Sequence, residues 1–315
     1  MAEITTYDAI GNREDLSDMI WNISPTARPF LSAIARTTAT ATNHEWQTDS
    51  LATPANNATI EGASATDTTL VPTVRLGNLT QISTKVPSVS RTQRQVQSAG
   101  RDDEMIYQEF KMGKELLNDV EVAVLANKAK VVGNSSSTAR QCAGLPTYIA
   151  DNLSLGASGS APAGTGANTL TEGTPRALTE AMLKSVLQQC WDEGGDPNII
   201  MAGSFNKQAM SAFVGGGTSG PAQRVVDGSS KSVTAAIDVY VSDFGSLTVV
   251  PSRHMDLSML YVLETDKWKL SELSPITSTP LAKTGDFDRE LLNAEYTLEA
   301  CNAKSSGIVA ALTVA

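Results

Sequence analysis

The residues best suited to catalysis lie in one short segment, HEWQTDSL, which spans residues 44–51. It contains His44, one of only two histidines in the chain, together with acidic residues and Ser50. Histidine beside serine and a carboxylate is typical of hydrolytic triads, and HExxH is typical of zinc proteases. Position 48 is threonine, so the second histidine of the zinc motif is missing. Catalysis by this segment would therefore need a serine nucleophile.

Nucleophile and nucleotide motifs are missing as well. The chain has neither a GxSxG sequence nor a Walker A sequence. Gly215, Gly217 and Gly220 satisfy the spacing GxGxxG, but they follow a predicted helix, whereas a dinucleotide site needs a strand before the glycines and a helix after them. We therefore interpret His44 as a hydrogen-bonding residue of a surface or an interface.

Metal ligands are equally sparse. Cys142, Cys190 and Cys301 are far apart and predict neither a disulfide framework nor a zinc site. The sequence GDFDREL, residues 285–291, begins like a calcium loop but lacks the remaining ligands, so we interpret it as a solvated turn. The sequence thus predicts no catalytic residue, no metal ligand and no cofactor.

Composition and charge restrict the possible functions further. Only 5% of the 315 residues are aromatic, so the bulky side chains that dominate buried area are scarce. The net charge of -10 argues against a protein that wraps nucleic acid with a basic surface. No apolar run has the length of a membrane span, and the opening MAEITTYDAI lacks the features of a signal peptide. We expect a soluble protein made in the cytoplasm.

The amino end predicts two short helices in series. Leu16, Met19, Ile20 and Ile23 recur at helical spacing over residues 14–22, and a Ser-Pro pair then ends the pattern. A second apolar piece, PFLSAIA, follows at once. Two short helices make a poor core, so this region is expected to form an arm.

Residues 37–100 show no helical period and predict a long β-hairpin. Residues 74–91 alternate as one strand, with apolar side chains on one face and Arg75, Lys85 and Arg91 on the other. At about 3.3 Å per residue this strand would span on the order of 60 Å. Its predicted partner is the HEWQTDSL segment. Because an isolated ribbon is marginal in water, it must lie on another surface.

The strongest helical signal runs over residues 101–130. Its apolar stripe consists of Ile106, Phe110, Leu117, Val120 and Val124. A compact α/β unit is predicted from residue 179, with a helix capped by Thr179, the buried strand NIIMAG and a helix capped by Ser204. Alternating segments further along predict strands.

The order of these segments resembles that of a known family, the major capsid proteins of tailed bacteriophages with the Hong Kong 97-like fold. The segments that carry the resemblance are EDLSDMIWNISPTARPFLSAI, HEWQTDSL, RLGNLTQIS, GRDDEMIYQEFKMGKEL and LQQCWDEGGDPNIIMAG. The resemblance runs from about residue 14 to the end of the chain, and its motifs are long enough to be specific.

This resemblance implies an α+β fold with a peripheral domain, an axial domain, an extended hairpin called the E-loop and an N-terminal arm. The implied ranges are 1–36 for the arm, 37–100 for the E-loop, 101–178 for the peripheral domain with its long spine helix, 179–273 for the axial domain and 274–315 for strands that return to the peripheral domain.

The implied function is structural: self-assembly into the icosahedral shell that encloses the genome of a tailed double-stranded DNA phage. The implied partners are further copies in hexamers and pentamers, portal, scaffolding and decoration proteins, and DNA packaged without sequence-specific binding, with no membrane. The location would be the virion, after assembly in the host bacterial cytoplasm. The candidate subunit-interface residues are Phe30, Trp46, Arg75, Lys85 and Arg91.

Three rival functions remain open. An encapsulin-like nanocompartment shell would have the same fold and enclose enzyme cargo. A hydrolase would use His44 or His254 and lose turnover when either is replaced. A phage tail or decoration component would form tubes or trimers. Trp46 is alone among polar neighbours, and we expect a second subunit or the body of its own chain to bury it.

Overall fold

The computed structural model of the protein describes residues 26–64, 67–96, 100, 103–213 and 238–314. Within these ranges the helices are α1 (Pro29–Ala33), α2 (Arg91–Gln95), α3 (Glu104–Leu125), α4 (Glu180–Asp192) and α5 (Ser204–Ser211). The strands are β1 (Ala35–Thr38), β2 (Asn43–Thr48), β3 (Val74–Leu79), β4 (Gln81–Lys85), β5 (Ser88–Ser90), β6 (Leu153–Ser154), β7 (Ile199–Ala202), β8 (Val239–Ser242), β9 (Gly245–Pro251), β10 (Leu260–Leu263), β11 (Trp268–Pro280), β12 (Phe287–Ala300) and β13 (Gly307–Val309).

Two sequence predictions fall outside the described residues. They are the helix at residues 14–22 and the GxGxxG segment at residues 215–220. The helix predicted for PFLSAIA is confirmed as α1.

Two larger sheets and one hairpin organise the described chain. The five-stranded sheet has the order β1-β11-β12-β4, and β5 also pairs with β12. Its centre is the long antiparallel pair of β11 and β12. The six-stranded sheet has the order β6-β13-β10-β7-β9-β8, whereas β2 and β3 pair only with each other. These mainly antiparallel sheets with separate helices confirm the predicted α+β class.

The buried residues form two cores, and the six-stranded sheet contributes to both: Met201, Tyr261 and Leu263 belong to the first core, whereas Ile200 and Val262 belong to the second. The first core joins α1 and the C-terminal half of α3 to β11 and β12. Its largest fully buried side chain is Trp268, whose Nε1 atom donates a hydrogen bond to Ser306 Oγ at 3.0 Å. The second core joins α4 and α5 to β7 and β9 through aliphatic residues such as Leu183 and Leu187. Each fully buried leucine contributes roughly 1.5–3 kcal/mol, which allows a chain poor in aromatic residues to fold.

The long helix α3 is shorter than the predicted range of 101–130. The Asp103 side chain caps its start by accepting a hydrogen bond from the Met105 N–H at 2.8 Å. The helix ends at Leu125 because the Ala126 backbone is extended, at φ -67° and ψ 142°. An aspartate at the N-cap also interacts favourably with the helix dipole, which explains the acidic residues at this end of the sequence.

The predicted apolar stripe of α3 is buried only in its C-terminal half. Val120 and Val124 belong to the first core. Ile106 and Phe110 are 66% and 64% exposed, so the N-terminal half of the stripe is uncovered in the subunit alone.

The prediction of one continuous strand over residues 74–91 is also wrong. β3 pairs with β2, whereas β4 and β5 pair with β12, and the chain becomes helical at Arg91. The change of partner occurs at Thr80, which is fully buried. The hairpin therefore consists of two six-residue strands rather than a ribbon of 60 Å.

The predicted helix, strand and helix from residue 179 are confirmed as α4, β7 and α5. Of the two predicted N-caps, the position of Thr179 is confirmed and that of Ser204 is wrong. Thr179 occupies the N-cap of α4, but its side chain makes no capping hydrogen bond. Ser204 is the first residue of α5, and Gly203 is its N-cap. The boundary implied between residues 273 and 274 lies inside β11.

Candidate assembly site at the base of the hairpin

His44 in β2 connects the hairpin to the five-stranded sheet. Its Nε2 atom lies 3.1 Å from Glu299 Oε2 of β12 and 3.2 Å from Ser271 Oγ of β11. Ser271 Oγ also donates to the same carboxylate oxygen at 3.1 Å. In a hydrolytic triad the acid and the serine bond to opposite ring nitrogens. Both groups meet Nε2 here, so the contact anchors the strand and lacks the geometry of a triad.

The carboxyl group of Glu299 is the centre of this anchor. Burial by itself would raise its pKa, but hydrogen bonds from His44, Cys301 and Ser271, together with the charge of Lys269, hold the pKa below its ordinary value. Cys301 Sγ lies 3.4 Å from Glu299 Oε1, and Lys269 Nζ lies 3.8 Å from it. The ionised carboxylate therefore links β2, β11 and β12 at neutral pH.

Trp46 packs against the body of its own chain. Its indole ring is half-buried, with the ring centroid 5.8 Å from that of Tyr148 and 6.0 Å from that of His44. It also packs against the first core, which confirms one of the two kinds of contact that we expected for it. Trp46 Nε1 is buried and has no hydrogen-bond partner among the described residues.

Asn78 in β3 is a fully buried polar residue that sequence reasoning missed. Its Nδ2 atom donates to Leu298 O at 2.9 Å and to Ala143 O at 3.2 Å. Its Oδ1 atom accepts from the N–H groups of Ala143 at 2.8 Å and Leu79 at 2.9 Å. Asparagine is uncommon in strands, so an asparagine inside a strand pattern was the available signal.

Gly77 permits a close approach at the same place. Lys130 Nζ donates to Gly77 O at 2.8 Å, and the Tyr148 hydroxyl donates to the same oxygen at 3.3 Å. A Cβ atom at Gly77 would lie only 2.9 Å from Glu45 Cγ on the paired strand. The sequence RLGN therefore joins the hairpin to the body through backbone and side-chain contacts together.

The turn at Thr80 is held by two residues that the sequence did not single out. Arg140 Nε donates to Thr80 O at 2.6 Å, and Thr80 Oγ1 donates to Glu295 Oε1 at 2.7 Å. Arg140 also forms an ion pair with Glu295. Arg140 and Glu295 are 60 and 215 residues from Thr80, so no local pattern links them.

Two of the candidate interface residues are engaged within their own chain. Phe30 is fully buried in the first core, so a second subunit could not reach its side chain in this conformation. Lys85 Nζ lies 3.0 Å from Asp119 Oδ2 and 3.7 Å from Glu115 Oε2 of α3. The hydrogen bond to Asp119 raises the pKa of Lys85, while partial burial opposes the shift.

The other two charged candidates remain on the surface. Arg75 is paired with Glu45 across the hairpin, with Nε and Oε2 3.4 Å apart. Arg91 Nε lies 2.8 Å from Asp286 Oδ1, and both side chains are exposed. Exposed pairs of this kind contribute about 0–1 kcal/mol to stability, so Arg75 and Arg91 can exchange these partners for others at low cost.

In the segment at residues 285–291, which begins like a calcium loop, Asp288 is paired with two cationic side chains. Asp288 lies 2.5 Å from Lys283 Nζ and 2.7 Å from Arg94 Nη1, and the hydrogen bonds from both lower its pKa. In the part of the chain that the structure describes, no group of three or more histidine, cysteine or acidic residues is placed to bind a metal ion.

The connection between β2 and β3 is the most exposed part of the hairpin. The described residues of 49–73 are all exposed and belong to no helix or strand. Its large apolar side chains are Leu51, Ile60, Leu70 and Val71, exposed by 99%, 84%, 88% and 79%. Sequence reasoning did not select these residues, although isolated apolar residues in a polar loop were a visible signal.

Comparison with known proteins identifies the chain. The family model of the SU10 major capsid protein matches residues 3–313. The chain belongs to this capsid protein family. The major capsid protein of Escherichia phage Phieco32 is 28% identical to it over 347 residues, which cover 96% of this chain and 95% of that protein. The protein is therefore a major capsid protein of a tailed phage, and its family implies a structural role.

Solved structures show the fold of the capsid protein. The capsid of a native GTA particle is similar with a TM-score of 0.64 and 11% identity, covering 98% of both chains. A chain of Mycobacterium phage Adephagia gives a TM-score of 0.62 with 13% identity, covering 100% of this chain and 99% of that chain. These likenesses confirm the Hong Kong 97-like fold.

The rival function of a nanocompartment shell is less well supported. The SrpI encapsulin of Synechococcus elongatus PCC 7942 has a TM-score of 0.54 and 13% identity, covering 96% of this chain and 93% of that chain. This likeness shows a shared fold alone, whereas the family match is to a capsid protein. No helix within the described ranges is long and apolar enough to cross a membrane.

Proposed function

We propose that the capsid protein joins neighbouring subunits chiefly through the exposed connection at residues 49–73. The observation that carries this proposal is the contrast between the base of the hairpin and the connection beyond it. The strands at its base are fixed to the body by His44 and Asn78, whereas Leu51 and Leu70 beyond them are almost wholly exposed. Large apolar side chains held out in this way are typical of surfaces that a partner covers.

The assembly is proposed to be a closed shell of hexamers and pentamers. Closed symmetry repeats each contact many times, so contacts that are modest one by one produce a stable particle. Arg75 and Arg91 are proposed to contribute through their exposed charge, and Trp46 through its half-buried ring. Phe30 and Lys85 would take part only after a rearrangement that frees them from their own chain.

The domain ranges implied by the resemblance are proposed unchanged. The arm would be residues 1–36, the peripheral domain 101–178 and the axial domain 179–273, and the E-loop 37–100 would have its free part between β2 and β3. The returning strands at 274–315 would share β11 with the axial domain. The second core supports an axial domain of this kind, since most of its residues lie between 178 and 262, while the first core joins that range to α3 and β12.

The finer partners are proposed from chemistry and from the family. A subunit with a net charge of -10 suits a shell that confines double-stranded DNA without gripping its sequence. Portal, scaffolding and decoration proteins would complete the virion, with assembly in the cytoplasm of the host bacterium. We propose no enzymatic activity, because His44 meets its acid and its serine through one nitrogen.

The test is to replace residues 53–68 with a short Gly-Ser linker. The shortened protein should remain folded and keep the helix and strand signal of the wild type in circular dichroism. It should form no closed shells by electron microscopy. The control is Val132→Asp, because Val132 is 79% exposed and lies outside the connection at residues 49–73. Normal particles from the shortened protein would overturn the proposal.

A further inference from the structure

The apolar stripe of α3 continues past the part that α1 covers. Positions 106, 110, 113, 117 and 121 share one face of the helix at spacings of three and four residues. Glu121 is buried at one end of this face, under α1. Ile106 and Phe110 at the other end are 66% and 64% exposed. Two large apolar side chains on one helix face indicate that something covers them in the working protein.

Gly113 leaves an opening in this face. Glycine inside a helix is unfavourable by about 1 kcal/mol relative to alanine, so it needs a compensating role. Among the described residues, no heavy atom beyond the backbone of α3 itself lies within 4 Å of the place that a Cβ atom on Gly113 would take. The opening lies between Phe110 and the next turn and is suited to a bulky side chain from the covering segment.

The direction of the amino-terminal chain indicates the occupant. Leu31 N–H and Phe30 N–H donate to the Glu121 carboxylate at 2.8 Å and 3.0 Å. Arg28 Nη1 lies 3.5 Å from Asn118 Oδ1 and from Lys114 O. As the chain runs back towards its amino end, its contacts therefore move along α3 towards Phe110 and Ile106.

The sequence before residue 26 has the matching chemistry. Leu16, Met19, Ile20 and Ile23 recur at i, i+3, i+4 and i+7, and the segment also carries acidic residues, two just before Leu16 and one between Leu16 and Met19. The α3 face is flanked by Lys111 and by Lys114, whose Nζ atom lies 4.1 Å from the centroid of the Phe110 ring.

The linking residues are also long enough. Residues 23–28 span up to about 16 Å at about 3.3 Å per residue, and Ile106 lies only about 12 Å from Lys114 along the helix. We propose that residues 14–23 of the same chain dock on the face formed by Ile106, Phe110 and Gly113. The arm would then cover the whole stripe of its own spine helix.

Disulfide trapping tests which chain supplies the segment. The double variant Ile20→Cys with Phe110→Cys, oxidised in the full-length protein, should give a cross-link within one chain that runs as a monomer on a non-reducing gel. The native Cys142 and Cys190 are buried, and the partly exposed Cys301 is replaced by serine in the double variant and in the control that carries neither new cysteine. Only dimeric products, from the double variant and from mixed single variants, would assign the docked arm to a second copy. The absence of any cross-link would also overturn the proposal.

Amide hydrogen exchange provides an independent measurement. Phe110→Asp and Gly113→Leu should each speed exchange over residues 14–23 at least tenfold, the first by removing the apolar contact and the second by filling the opening. Val132→Asp, at an exposed site elsewhere, should leave this exchange unchanged. Equal exchange in all three variants would show that the arm does not dock on α3.

Discussion

His44 and Glu299 meet at 3.1 Å although 255 residues separate them in the sequence. Because His44 lies in the hairpin and Glu299 lies in β12, this single contact sets where the hairpin leaves the body of the subunit. Ser271 and Lys269 of β11 contact the same carboxylate, so the anchor joins three strands. The contribution of this anchor to the stability of the subunit should therefore depend on whether Glu299 is ionised.

Glu299→Gln should lower the free energy of unfolding by about 1–3 kcal/mol at neutral pH, because hydrogen bonds to a charged group are lost. The pKa of Glu299 lies below its ordinary value of 4.5 in the folded protein. The contribution of the carboxylate is therefore complete above pH 4.5 and is lost as the pH falls through the lower folded value.

Urea unfolding of both proteins at about pH 7 and about pH 3 measures this effect. The difference between wild type and variant should shrink at the lower pH. Glu61→Gln, in the exposed connection of the hairpin, is the matched control and should change little. A difference that stays constant between the two pH values would contradict the assigned role of Glu299.

Glu121 should show the opposite pH dependence. It is fully buried under α1, and burial raises its pKa although the Leu31 and Phe30 N–H groups and the charge of Arg28 oppose the shift. For a raised pKa, the favourable contribution is present below the ordinary value of 4.5 and is lost as the pH rises through the folded value. Wild type should therefore lose stability relative to Glu121→Gln as the pH rises above 4.5.

Glu121→Ala separates the hydrogen bonds from the charge. It leaves the Phe30 and Leu31 N–H groups without their acceptor, at a cost of about 1–3 kcal/mol for each buried group. Chemical unfolding should rank the alanine variant as less stable than the glutamine variant at every pH. Equal stabilities would show that water replaces the carboxylate when it is removed.

The sequence predicted the helices better than the path of the hairpin. In α3, Val120 and Val124 are buried as their spacing predicts, because a helix has one period whatever covers it. Ile106 and Phe110 have the same spacing but are exposed, since burial depends on which segment lies against the helix. Periodicity identifies an apolar face and does not identify its partner.

The strand predicted for residues 74–91 failed for a related reason. Alternation of side chains continues across Thr80 in the sequence, but the chain changes sheets there. The change depends on Arg140 and Glu295, which are distant in the sequence. Asn78 was a similar case, because its partners Ala143 and Leu298 are distant in the sequence. The contact of Lys85 with another subunit stays a prediction, and its pairing with Asp119 of α3 was not visible in the sequence.

Asn78→Ala should destabilise the subunit by about 2–4 kcal/mol, because it leaves several buried backbone groups without partners. The loss should also loosen the base of the hairpin, with faster amide exchange at Leu79 and Ala143. The matched control is Asn43→Ala in β2, since Asn43 is exposed and its Nδ2 atom donates to the nearby Glu45 Oε1 at 3.0 Å. Similar losses of stability for both variants would contradict the role given to Asn78.

Charge reversal at Arg75 and at Lys85 should separate assembly from subunit stability. Arg75 is exposed and pairs only loosely with Glu45, so Arg75→Glu should change the free energy of unfolding by less than about 0.5 kcal/mol. Lys85→Glu would place a third carboxylate beside Asp119 and Glu115, and it should destabilise the subunit by about 1 kcal/mol.

The two variants should rank in the reverse order in an assembly assay. If Arg75 contacts a neighbouring subunit, Arg75→Glu should slow shell formation measured by light scattering, and added salt should reduce the difference from wild type because it screens exposed charges. The folded Lys85→Glu subunit should form shells at a rate closer to that of wild type, because the native partners of Lys85 lie in its own chain. Arg75→Glu protein that assembles at the wild-type rate in low salt would remove Arg75 from the proposed interface.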